Sequence, residues 1–512
     1  MDVLTVVQVD GVYNRVDCEE GIAYELSEYF TFTIDNAQFH PLVKKHLWDG
    51  RISLFRVRDH LLYRGLLPRL LLFAQERGYD VAGDIEQYGD QLSKEEITTF
   101  VTSLNLPSEI EHRDYQLTAF YECLYHQGKI VISPTGSGKS LLLYLLVRYF
   151  LEAGLKGGLL VVPTTSLVEQ MYSDFKSYGW TDIDQFVHRQ YAGKDKSVRK
   201  FLTISTWQSL MVKEKLAYDA SYFEQFEFVL GDEAHLFKAK SLIEIMTSLI
   251  NTQYRIGCTG TLDGSKIHQW VLEGLFGPVM QNVTTRQLMD AGYLSPLVIK
   301  ALVLEYPPDY CKALHKLKYP TAKKENREKK SEAFRIELQK ILSNTARMAF
   351  IRKLALALKG NTLILFTFVD THGKILLEEV EKYAEKGRPI HFIHGEIATE
   401  NRESSRKQVE GQADAIIIAS YGTFSTGVNI KNLHNIITAS PSKSQVRILQ
   451  SIGRSIRQAD GKTHATLYDI VDNCQYKSDQ NFLLKHFLHR VDIYNAEQFP
   501  YSVYPIKIKG TL

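Results

Sequence analysis

The sequence predicts an α/β protein with two doubly wound parallel sheets in tandem, preceded by a small α+β domain. From about residue 106 to 285, short apolar runs rich in β-branched residues alternate with helical or polar segments, as in a parallel sheet with crossover helices. The same alternation returns from about residue 350, whereas the N-terminal segment lacks it. We therefore expect three domains, at residues 1–105, 106–300 and 301–512.

The composition agrees with this organisation and excludes several classes of protein. A chain of 512 residues corresponds to about three domains at roughly 150 residues each. Its 44% hydrophobic and 23% charged residues are typical of a folded globular chain. The five cysteines are scattered and form no C-x-x-C pair, so neither a disulfide framework nor a zinc site is indicated. The net charge of +2 leaves nucleic acid open as a partner.

No segment of the sequence has the features of a targeting signal or a membrane span. The N-terminus MDVLTVVQVD lacks a basic region, and no apolar run reaches the ~18–20 residues that cross a bilayer. We therefore expect a cytoplasmic protein.

The N-terminal domain is predicted to mix strands (VLTVVQV, ISLFRV) with helices (GIAYELSEYF, GLLPRLLLFAQERG). Its basic residues are interleaved with Trp48 and Phe55 and could form a face for nucleic acid, although a solvated accessory surface explains them equally well. These basic residues are Lys44, Lys45, His46, Arg51, Arg56, Arg58 and Arg64. Ser93 and Glu96 have the spacing of a capping box, so a helix is expected to start there, before the boundary near 105.

The segment Lys129–Ser140, KIVISPTGSGKS, predicts a phosphate-binding loop between a strand and a helix. The N–H groups of such a loop and the dipole of the following helix surround a phosphate chain. Lys139 would contact the β- and γ-phosphates, and the Ser140 hydroxyl would bind Mg²⁺. Ser133 stands where the full pattern has glycine. The residues that form the loop itself are Pro134, Thr135, Gly136, Ser137 and Gly138.

A pair of acids follows the next strongly apolar strand, FEFVLG. Asp232 and Glu233 lie 93 and 94 residues after Lys139, and Ala234 and His235 complete the segment DEAH. A carboxylate at a strand end beside a phosphate loop can hold hydrated Mg²⁺, and its neighbour can accept the proton of an attacking water. We assign Asp232 to the metal and Glu233 to the general base.

The last predicted domain repeats the α/β pattern without a phosphate loop of its own. Near its end the segment QSIGRSIR places Gln450, Arg454 and Arg457 close together. Arginines presented from a second element stabilise the charge that builds on a γ-phosphoryl group, by about 10³–10⁵ in rate. Two arginines three residues apart are, on their own, more often a solvated helix face. The functional interpretation therefore depends on the other motifs.

Taken in order, these segments resemble the motifs of a superfamily 2 helicase, which has two RecA-like lobes. The matching segments are Tyr115-Gln116, PTGSGKS, VVPTTSLVEQ, STWQS, DEAH, TGT, LILF, IHGE, STGVN and QSIGRSIR. The N-terminal segments WDGRISLF and YRGLL, with FSTGVNIKNLH, resemble the recombination and repair helicases of bacteriophages in particular. The resemblance covers nearly the whole chain, and a phage origin would place the protein in the host cytoplasm.

The resemblance implies roles for residues whose chemistry is not evident from spacing. Tyr115 and Gln116 would bind the adenine of ATP, and His235, Thr259, Gly260 and Thr261 would couple hydrolysis to strand movement. Gly427 and Asn429 would contact the nucleotide, although Asn429 stands where an acid is common. Contacts to the nucleic-acid backbone would come from Pro163, Thr164, Thr165, Thr206, Trp207, Gln208, His394, Gly395, Arg402 and Thr426.

The resemblance further implies an ATP- and Mg²⁺-dependent enzyme that remodels branched DNA, by unwinding D-loops, migrating Holliday junctions, regressing forks and annealing strands. Two alternatives stay open at this stage. An RNA helicase or ATP-gated RNA clamp is possible because backbone contacts carry little sequence information. A restriction-type motor-nuclease is possible because Pro308-Asp309 and Glu328-Lys329-Lys330 loosely fit a nuclease pattern. Other recombination or replication proteins could be further partners.

Overall fold

The computed structural model describes most of the chain. The described residues are 3–34, 37–39, 41–85, 89–191, 198–213, 215–262, 264–320, 327–395, 408–409, 411–426, 432–441, 452–453, 462 and 464–509. The chain divides into two compact units, the first comprising Met1–Ser133 and Ser137–Val283 and the second Pro134–Gly136 and Thr284–Leu512. The domain limits near 105 and 300 stay predictions.

The strands fall into two groups that match the two units. In the first unit they are β1 Val3–Gln8, β2 Tyr13–Asp17, β3 Thr31–Thr33, β4 Arg51–Ser53, β5 Phe55–Arg56, β6 Leu61–Tyr63, β7 Asp80–Gly83, β8 Gly128–Ile132, β9 Gly158–Val162, β10 Val187–Gln190, β11 Leu202–Thr206, β12 Met211–Val212, β13 Lys215–Leu216, β14 Phe228–Asp232, β15 Tyr254–Thr259 and β16 Val279–Gln281. In the second unit they are β17 Leu297–Glu305, β18 Thr362–Phe366, β19 Ile390–Ile393, β20 Ile416–Ser420, β21 Asn435–Thr438, β22 Ala465–Asn473 and β23 Tyr501–Lys507.

The α-helices connect these strands. In the first unit they are α1 Glu20–Tyr29, α2 Pro41–Lys44, α3 Leu67–Arg77, α4 Lys94–Ser103, α5 Asp114–His126, α6 Lys139–Glu152, α7 Thr165–Ser177, α8 Ile183–Phe186, α9 Ala220–Glu224, α10 Lys240–Ser248 and α11 Lys266–Phe276. In the second unit they are α12 Thr285–Asp290, α13 Pro308–Lys318, α14 Arg327–Leu342, α15 Thr345–Ala357, α16 Lys374–Tyr383, α17 Tyr421–Thr426 and α18 Phe482–Ala496. Among the described helices, none is long and apolar enough to cross a membrane.

Each unit contains a seven-stranded parallel sheet, which confirms the predicted fold class. The first sheet has the order β10-β11-β9-β14-β15-β8-β16, and the second has the order β19-β20-β18-β21-β22-β17-β23. Every pair of neighbouring strands within them is parallel. The central strands β9, β14, β15, β18 and β20 are buried at every position. Because helices cover both faces of such a sheet, these strands appear in the sequence as continuous apolar runs.

A five-stranded sheet at the N-terminus completes the first unit, in the order β5-β6-β2-β1-β7. It is antiparallel except for the pair β1–β7. Its core is continuous with the first parallel sheet, since Leu4, Phe30 and Phe73 belong to the same buried cluster as Trp270 and Leu275 of α11. The capping box predicted at Ser93 and Glu96 is present and begins α4. The small N-terminal sheet is thus packed onto its neighbour as one hydrophobic body.

A buried ion pair connects the N-terminal sheet to α11. Arg69 of α3 donates from Nε and Nη2 to the Glu273 carboxylate, at 2.6 and 2.9 Å. The Arg69 guanidinium also stacks on Trp270, 4.4 Å from the ring centroid, and Tyr29 and Phe32 surround the same indole. A bidentate pair of this kind has a defined geometry. It therefore fixes the orientation of the N-terminal sheet as well as its position.

Buried polar pairs organise the second unit. Arg347 of α15 and Asp472 of β22 are both fully buried and pair at 2.8 Å. Asp469 on the same strand accepts hydrogen bonds from Arg490 Nε and from the Tyr494 hydroxyl, both at 2.9 Å. The latter two residues lie on α18, which therefore packs on the second sheet.

We expect Arg69→Ala to lower the free energy of unfolding of the first unit by about 3 kcal/mol, because it leaves the Glu273 carboxylate buried without its cation. Arg77→Ala on the same helix is the matched control, since its pair with Glu25 is exposed on both sides and should contribute less than about 0.5 kcal/mol. Thermal unfolding combined with limited proteolysis, which would release the N-terminal sheet, measures both effects. Equal shifts for the two variants would contradict the anchoring role of Arg69.

Candidate functional site

The phosphate loop predicted from sequence lies between β8 and α6, as expected. Gly136 and Gly138 have φ angles of +85° and +81°, in the left-handed region that favours glycine. The helix α6 begins at Lys139, so the first turn presents its N–H groups and the positive end of its dipole toward the loop. This arrangement is a preformed anion site.

Ser133, which departs from the full glycine pattern, is integrated into the site. Its backbone N–H donates to the Thr259 carbonyl at 2.9 Å, and its carbonyl accepts from Lys139 Nζ at 3.0 Å. Its hydroxyl accepts from Asn282 Nδ2 at 3.0 Å. A glycine here would lack that last bond. The loop entrance is therefore held by a side chain that the sequence pattern does not require.

Tyr115 and Gln116 reach the loop from the start of α5. The Tyr115 hydroxyl and Gln116 Nε2 both donate to the Ser137 carbonyl, at 2.9 and 2.8 Å. Gln116 Oε1 in turn accepts from the Arg113 backbone N–H at 2.9 Å. The amide of Gln116 lies so close to Gly138 that a Cβ there would clash with Nε2. The predicted base-reading residues and the predicted phosphate loop are thus in direct contact.

One polar atom in this loop indicates what the site holds. The Ser137 hydroxyl is buried and has no hydrogen-bond partner among the described residues. A buried hydroxyl without a partner costs about 1–3 kcal/mol, so such groups usually mark a ligand or a bound water. Together with the glycine conformations and Lys139, this hydroxyl fits the phosphate groups of a nucleotide.

The two acids lie at the end of β14. Asp232 is buried, and burial, followed by the neighbouring charge of Glu233, raises the pKa of its carboxyl to about 6. A divalent cation would offset the cost of burying the charged carboxylate, because it stabilises the charged form. The described residues contain no cluster of three or more His, Cys, Asp or Glu side chains that could hold a metal. Magnesium commonly binds through one or two protein groups plus phosphate oxygens and water, which fits Ser140 and Asp232.

Glu233 has a strained backbone, with a φ angle of +55°. For a non-glycine residue this conformation costs of order 1–2 kcal/mol, and such strain clusters at functional sites. The residue immediately precedes the short 3₁₀ helix Ala234–Leu236. The conformation turns the chain sharply after the strand, so that two successive acids lie at the same edge of the sheet.

His235 and the predicted coupling residues form one hydrogen-bonded network. The His235 Nδ1 atom lies 2.9 Å from Thr259 Oγ1 and 3.3 Å from a Glu233 carboxylate oxygen. Thr259 Oγ1 donates to the Thr261 carbonyl at 3.0 Å. The contact between His235 and Thr259 joins the segment after β14 to the end of β15, and the other two contacts extend it on either side. A displacement at Glu233 therefore reaches the segment after β15 through two hydrogen bonds.

The predicted backbone-contact residues of the first unit lie at the ends of β9 and β11. Gln208 is exposed, and its amide points toward the Pro163 carbonyl at 3.5 Å, while Trp207 is half-buried. Thr164 caps α7 by accepting from the Leu167 N–H, and Thr165 is the first residue of that helix. Thr206 is buried, and its hydroxyl pairs with Ser209 at 2.9 Å. Thr206 is therefore buried beneath the surface that carries Trp207 and Gln208.

The predicted residues of the second unit are only partly described. His394 and Gly395 follow the end of β19. Of Thr426 the structure describes only the backbone, at the end of α17. The remaining predicted residues lie outside the described part of the chain: Arg402, Gly427, Asn429, Gln450, Arg454 and Arg457. Their roles stay predictions.

The basic face predicted on the N-terminal domain is smaller than expected. Phe55 is buried in the core, so its inclusion in that face was wrong. Arg64 is half-buried and donates to Gln127 at 2.6 Å, whereas Arg56, which lies over the Tyr13 ring, and Arg58 are both exposed. The basic residues that share the exposed segment around β4 are Lys44, Lys45, His46 and Arg51. An apolar residue of the same segment, Leu47, is 72% exposed.

Sequence reasoning missed Tyr178 as a residue of the site. Its hydroxyl lies 2.7 Å from Ser140 Oγ. No motif spacing points to it, because it follows α7 and approaches the loop only through the packing of α7 against α6.

Comparisons with known proteins agree with these motifs. Three family models match along the chain: the N-terminal domain of the DNA helicase UvsW at residues 4–84, the res subunit of type III restriction enzymes at 109–264, and the helicase conserved C-terminal domain at 345–459.

Two curated relatives and one solved structure extend the match to the whole chain. The ATP-dependent DNA helicase UvsW of Enterobacteria phage T4 is 31% identical over 519 residues, covering 96% of this chain and 97% of that protein. The DNA 3'-5' translocase XPB2 of Sulfurisphaera tokodaii is 23% identical over 416 residues, covering 76% and 88%. The crystal structure of T4 UvsW covers 99% of this chain and 100% of that one, with 30% identity and a TM-score of 0.50.

We expect Gly138→Ala to weaken nucleotide binding, because the added methyl group would displace the Gln116 amide from its hydrogen bond to the Ser137 carbonyl. Gly154→Ala is the matched control: its φ angle of +78° requires the same left-handed conformation, but a Cβ there meets no atom within 4 Å. Both changes should cost about 1 kcal/mol of stability. Titration with a fluorescent ADP analogue measures binding. Loss of binding in both variants would mean that binding is lost through general destabilisation of the protein and not through the clash with Gln116.

Proposed function

Because this chain belongs to the family of ATP-dependent DNA helicases that includes UvsW of phage T4, we propose that it remodels branched DNA during phage recombination and repair. The reactions would be D-loop unwinding, Holliday-junction migration, fork regression and strand annealing. The observation that supports this most is the match over nearly the whole chain, including the N-terminal domain, to a helicase of that kind. A match restricted to the two α/β lobes would support only a generic motor.

The residues of the loop and the acids would divide the chemistry of ATP hydrolysis among them. Lys139 would balance the charge of the phosphates, and Ser140 and Asp232 would hold Mg²⁺. Glu233, held next to Asp232 by its strained backbone, would orient and deprotonate the attacking water. Magnesium, when bound, supplies charge stabilisation at the phosphoryl oxygens. Gln450, Arg454 and Arg457 would stabilise the charge that develops there, as proposed from sequence.

Coupling of hydrolysis to movement would begin at His235. Its imidazole lies between Glu233 and Thr259, so a change in the charge around Glu233 alters both hydrogen bonds. Thr259 holds Thr261 through its hydroxyl, and Gly260 between them can change conformation at little cost. We therefore assign these residues to the transmission of hydrolysis, and the exposed Gln208 and half-buried Trp207 to contact with the DNA backbone.

The exposed basic segment of the N-terminal domain would contribute phosphate contacts of its own. Lys44, Lys45, His46 and Arg51 carry no ion pair among the contacts of the described residues, and the exposed Leu47 lies among them. Phosphate contacts of this type add affinity without sequence preference. We propose that residues 1–105 recognise the branch of the substrate through this segment, and that other recombination proteins bind elsewhere.

Neither alternative function gains support from the structure. The nuclease interpretation needs its acids and lysine on strands, but Asp309 lies in the first turn of α13 and the segment 328–330 lies in α14. The RNA interpretation has no feature of its own among the described residues. Comparing the stimulation of ATP hydrolysis by forked DNA, single-stranded DNA and RNA tests it directly, and stimulation by RNA alone would overturn the proposed substrate.

We expect Lys139→Ala to reduce ATP hydrolysis and Holliday-junction migration together, by at least about 100-fold, because the phosphates lose their nearest fixed cation. Lys156→Ala is the control, since that side chain is 87% exposed at the opposite edge of the sheet. Junction migration that persisted without hydrolysis would refute an ATP-driven motor.

We expect the double reversal Lys44→Glu and Lys45→Glu to weaken binding of forked DNA about tenfold and to reduce its salt dependence by about two phosphate contacts. The rate of ATP hydrolysis at saturating DNA should stay unchanged. The matched control reverses Lys156 and Lys359, which are exposed before β9 and β18, at the amino ends of the two parallel sheets. Equal loss in both double variants would show a general charge effect and no specific face.

A further inference from the structure

The hydroxyl group of Ser140 pairs with a tyrosine that belongs to no helicase motif in the sequence. Ser140 Oγ lies 2.7 Å from the hydroxyl oxygen of Tyr178, and both residues are partly buried. Tyr178 is the residue that directly follows α7. The preceding residue, Lys139, donates from Nζ to the Ser133 carbonyl.

The Tyr178 hydroxyl is held in place by its surroundings. Its ring packs edge-to-face on Tyr144 of α6, with the centroids 5.4 Å apart, and its backbone N–H donates to the Asp174 carbonyl at 3.0 Å. Tyr144 is fully buried, and its own hydroxyl accepts from Arg148 at 2.9 Å. Gly179, with a φ angle of +97°, turns the chain immediately afterwards. The phenol therefore has little freedom to move away from Ser140.

A serine that binds a cation through its oxygen must direct its proton elsewhere. One of its two lone pairs can face the metal when the O–H bond points away from the metal, and an acceptor on that other side holds the bond there. Groups that accept such protons orient the ligand and tune the site, and their loss typically costs 10–100-fold in metal affinity. The phenol oxygen of Tyr178 is an acceptor at hydrogen-bond distance, in a fixed position, next to the one hydroxyl assigned to Mg²⁺.

We propose that Tyr178 is a positioning residue of the magnesium site, accepting the Ser140 proton so that the serine oxygen faces the metal. This inference rests on the proposed nucleotide site. In the opposite arrangement Tyr178 would donate to one of the two lone pairs of the serine oxygen, and only the other would remain for the metal. The two arrangements predict opposite effects of removing the phenol oxygen.

The test is Tyr178→Phe, which keeps the ring on Tyr144 and removes only the hydroxyl. A fluorescent ADP analogue is titrated into the full chain at several Mg²⁺ concentrations and again in EDTA. We expect Tyr178→Phe to need about tenfold more Mg²⁺ for the same nucleotide affinity, with the affinity in EDTA unchanged. The combination with Ser140→Ala should bind no more weakly than Ser140→Ala alone, because Tyr178 acts through that serine.

Tyr172→Phe is the matched control. Tyr172 lies on α7, the helix that Tyr178 follows, and its change to phenylalanine also removes a side-chain hydrogen bond, to Asp184. It should keep the Mg²⁺ requirement of the unmodified protein. Three results would overturn the proposal: an unchanged Mg²⁺ requirement in Tyr178→Phe, a lower requirement, or an equal loss of affinity in EDTA. Absence of Mg²⁺-dependent binding in the unmodified protein would instead refute the proposed nucleotide site itself.

Discussion

The parallel hydrogen bonding between β8, β15 and β14 is the constraint on which the site depends. In this ladder Ile132 pairs with Thr259, and Cys258 pairs with Asp232. Because all three strands run in one direction, everything that follows them emerges at one edge. The phosphate loop, the two acids and the coupling threonine come from segments up to 127 residues apart, Ile132 to Thr259, yet the backbone alone brings them together. Even short side chains at these positions are then close enough to contact one another.

The same strands also bind the N-terminal domain to the site. β15 ends at Thr259, and α11 begins seven residues later at Lys266. That helix carries both Trp270 and Glu273, which hold Arg69 of the N-terminal domain. At the other end of β15, the buried Arg255 donates to the carbonyls of Met246 and Leu275 near the ends of α10 and α11. The N-terminal domain is therefore attached to the element that directly follows the segment proposed to couple hydrolysis to movement.

Sequence reasoning located the strands that are buried on both faces and some half-buried ones, such as β1, but it missed other edge strands. β8, β9, β14 and β15 were evident as continuous apolar runs, whereas β10 (VHRQ) and β23 (YSVYPIK) are edge strands with polar or exposed positions. Phe55 was misplaced because ISLFRV alternates too weakly to show which face is buried. The phosphate loop and the acids were predictable because their chemistry requires local patterns. Tyr178 was not, because its contact with Ser140 depends on how α7 packs against α6.

The helix α7 connects the contact between Tyr178 and Ser140 to residues that are proposed to bind DNA. The helix is capped by Thr164 and starts at Thr165, both assigned to the DNA backbone, and Tyr178 follows its last residue. Thirteen helical residues span about 20 Å, and a helix of this length moves as a rigid rod. A shift of its first turn toward a phosphate must therefore displace the phenol that faces Ser140. Since α7 and α6 pack through the buried Phe175 and Tyr144, with ring centroids 5.5 Å apart, that displacement is resisted by a close-packed contact. The residues proposed to contact nucleic acid and the tyrosine proposed to position the metal ligand Ser140 thus lie at the two ends of one helix, independently of the network around His235.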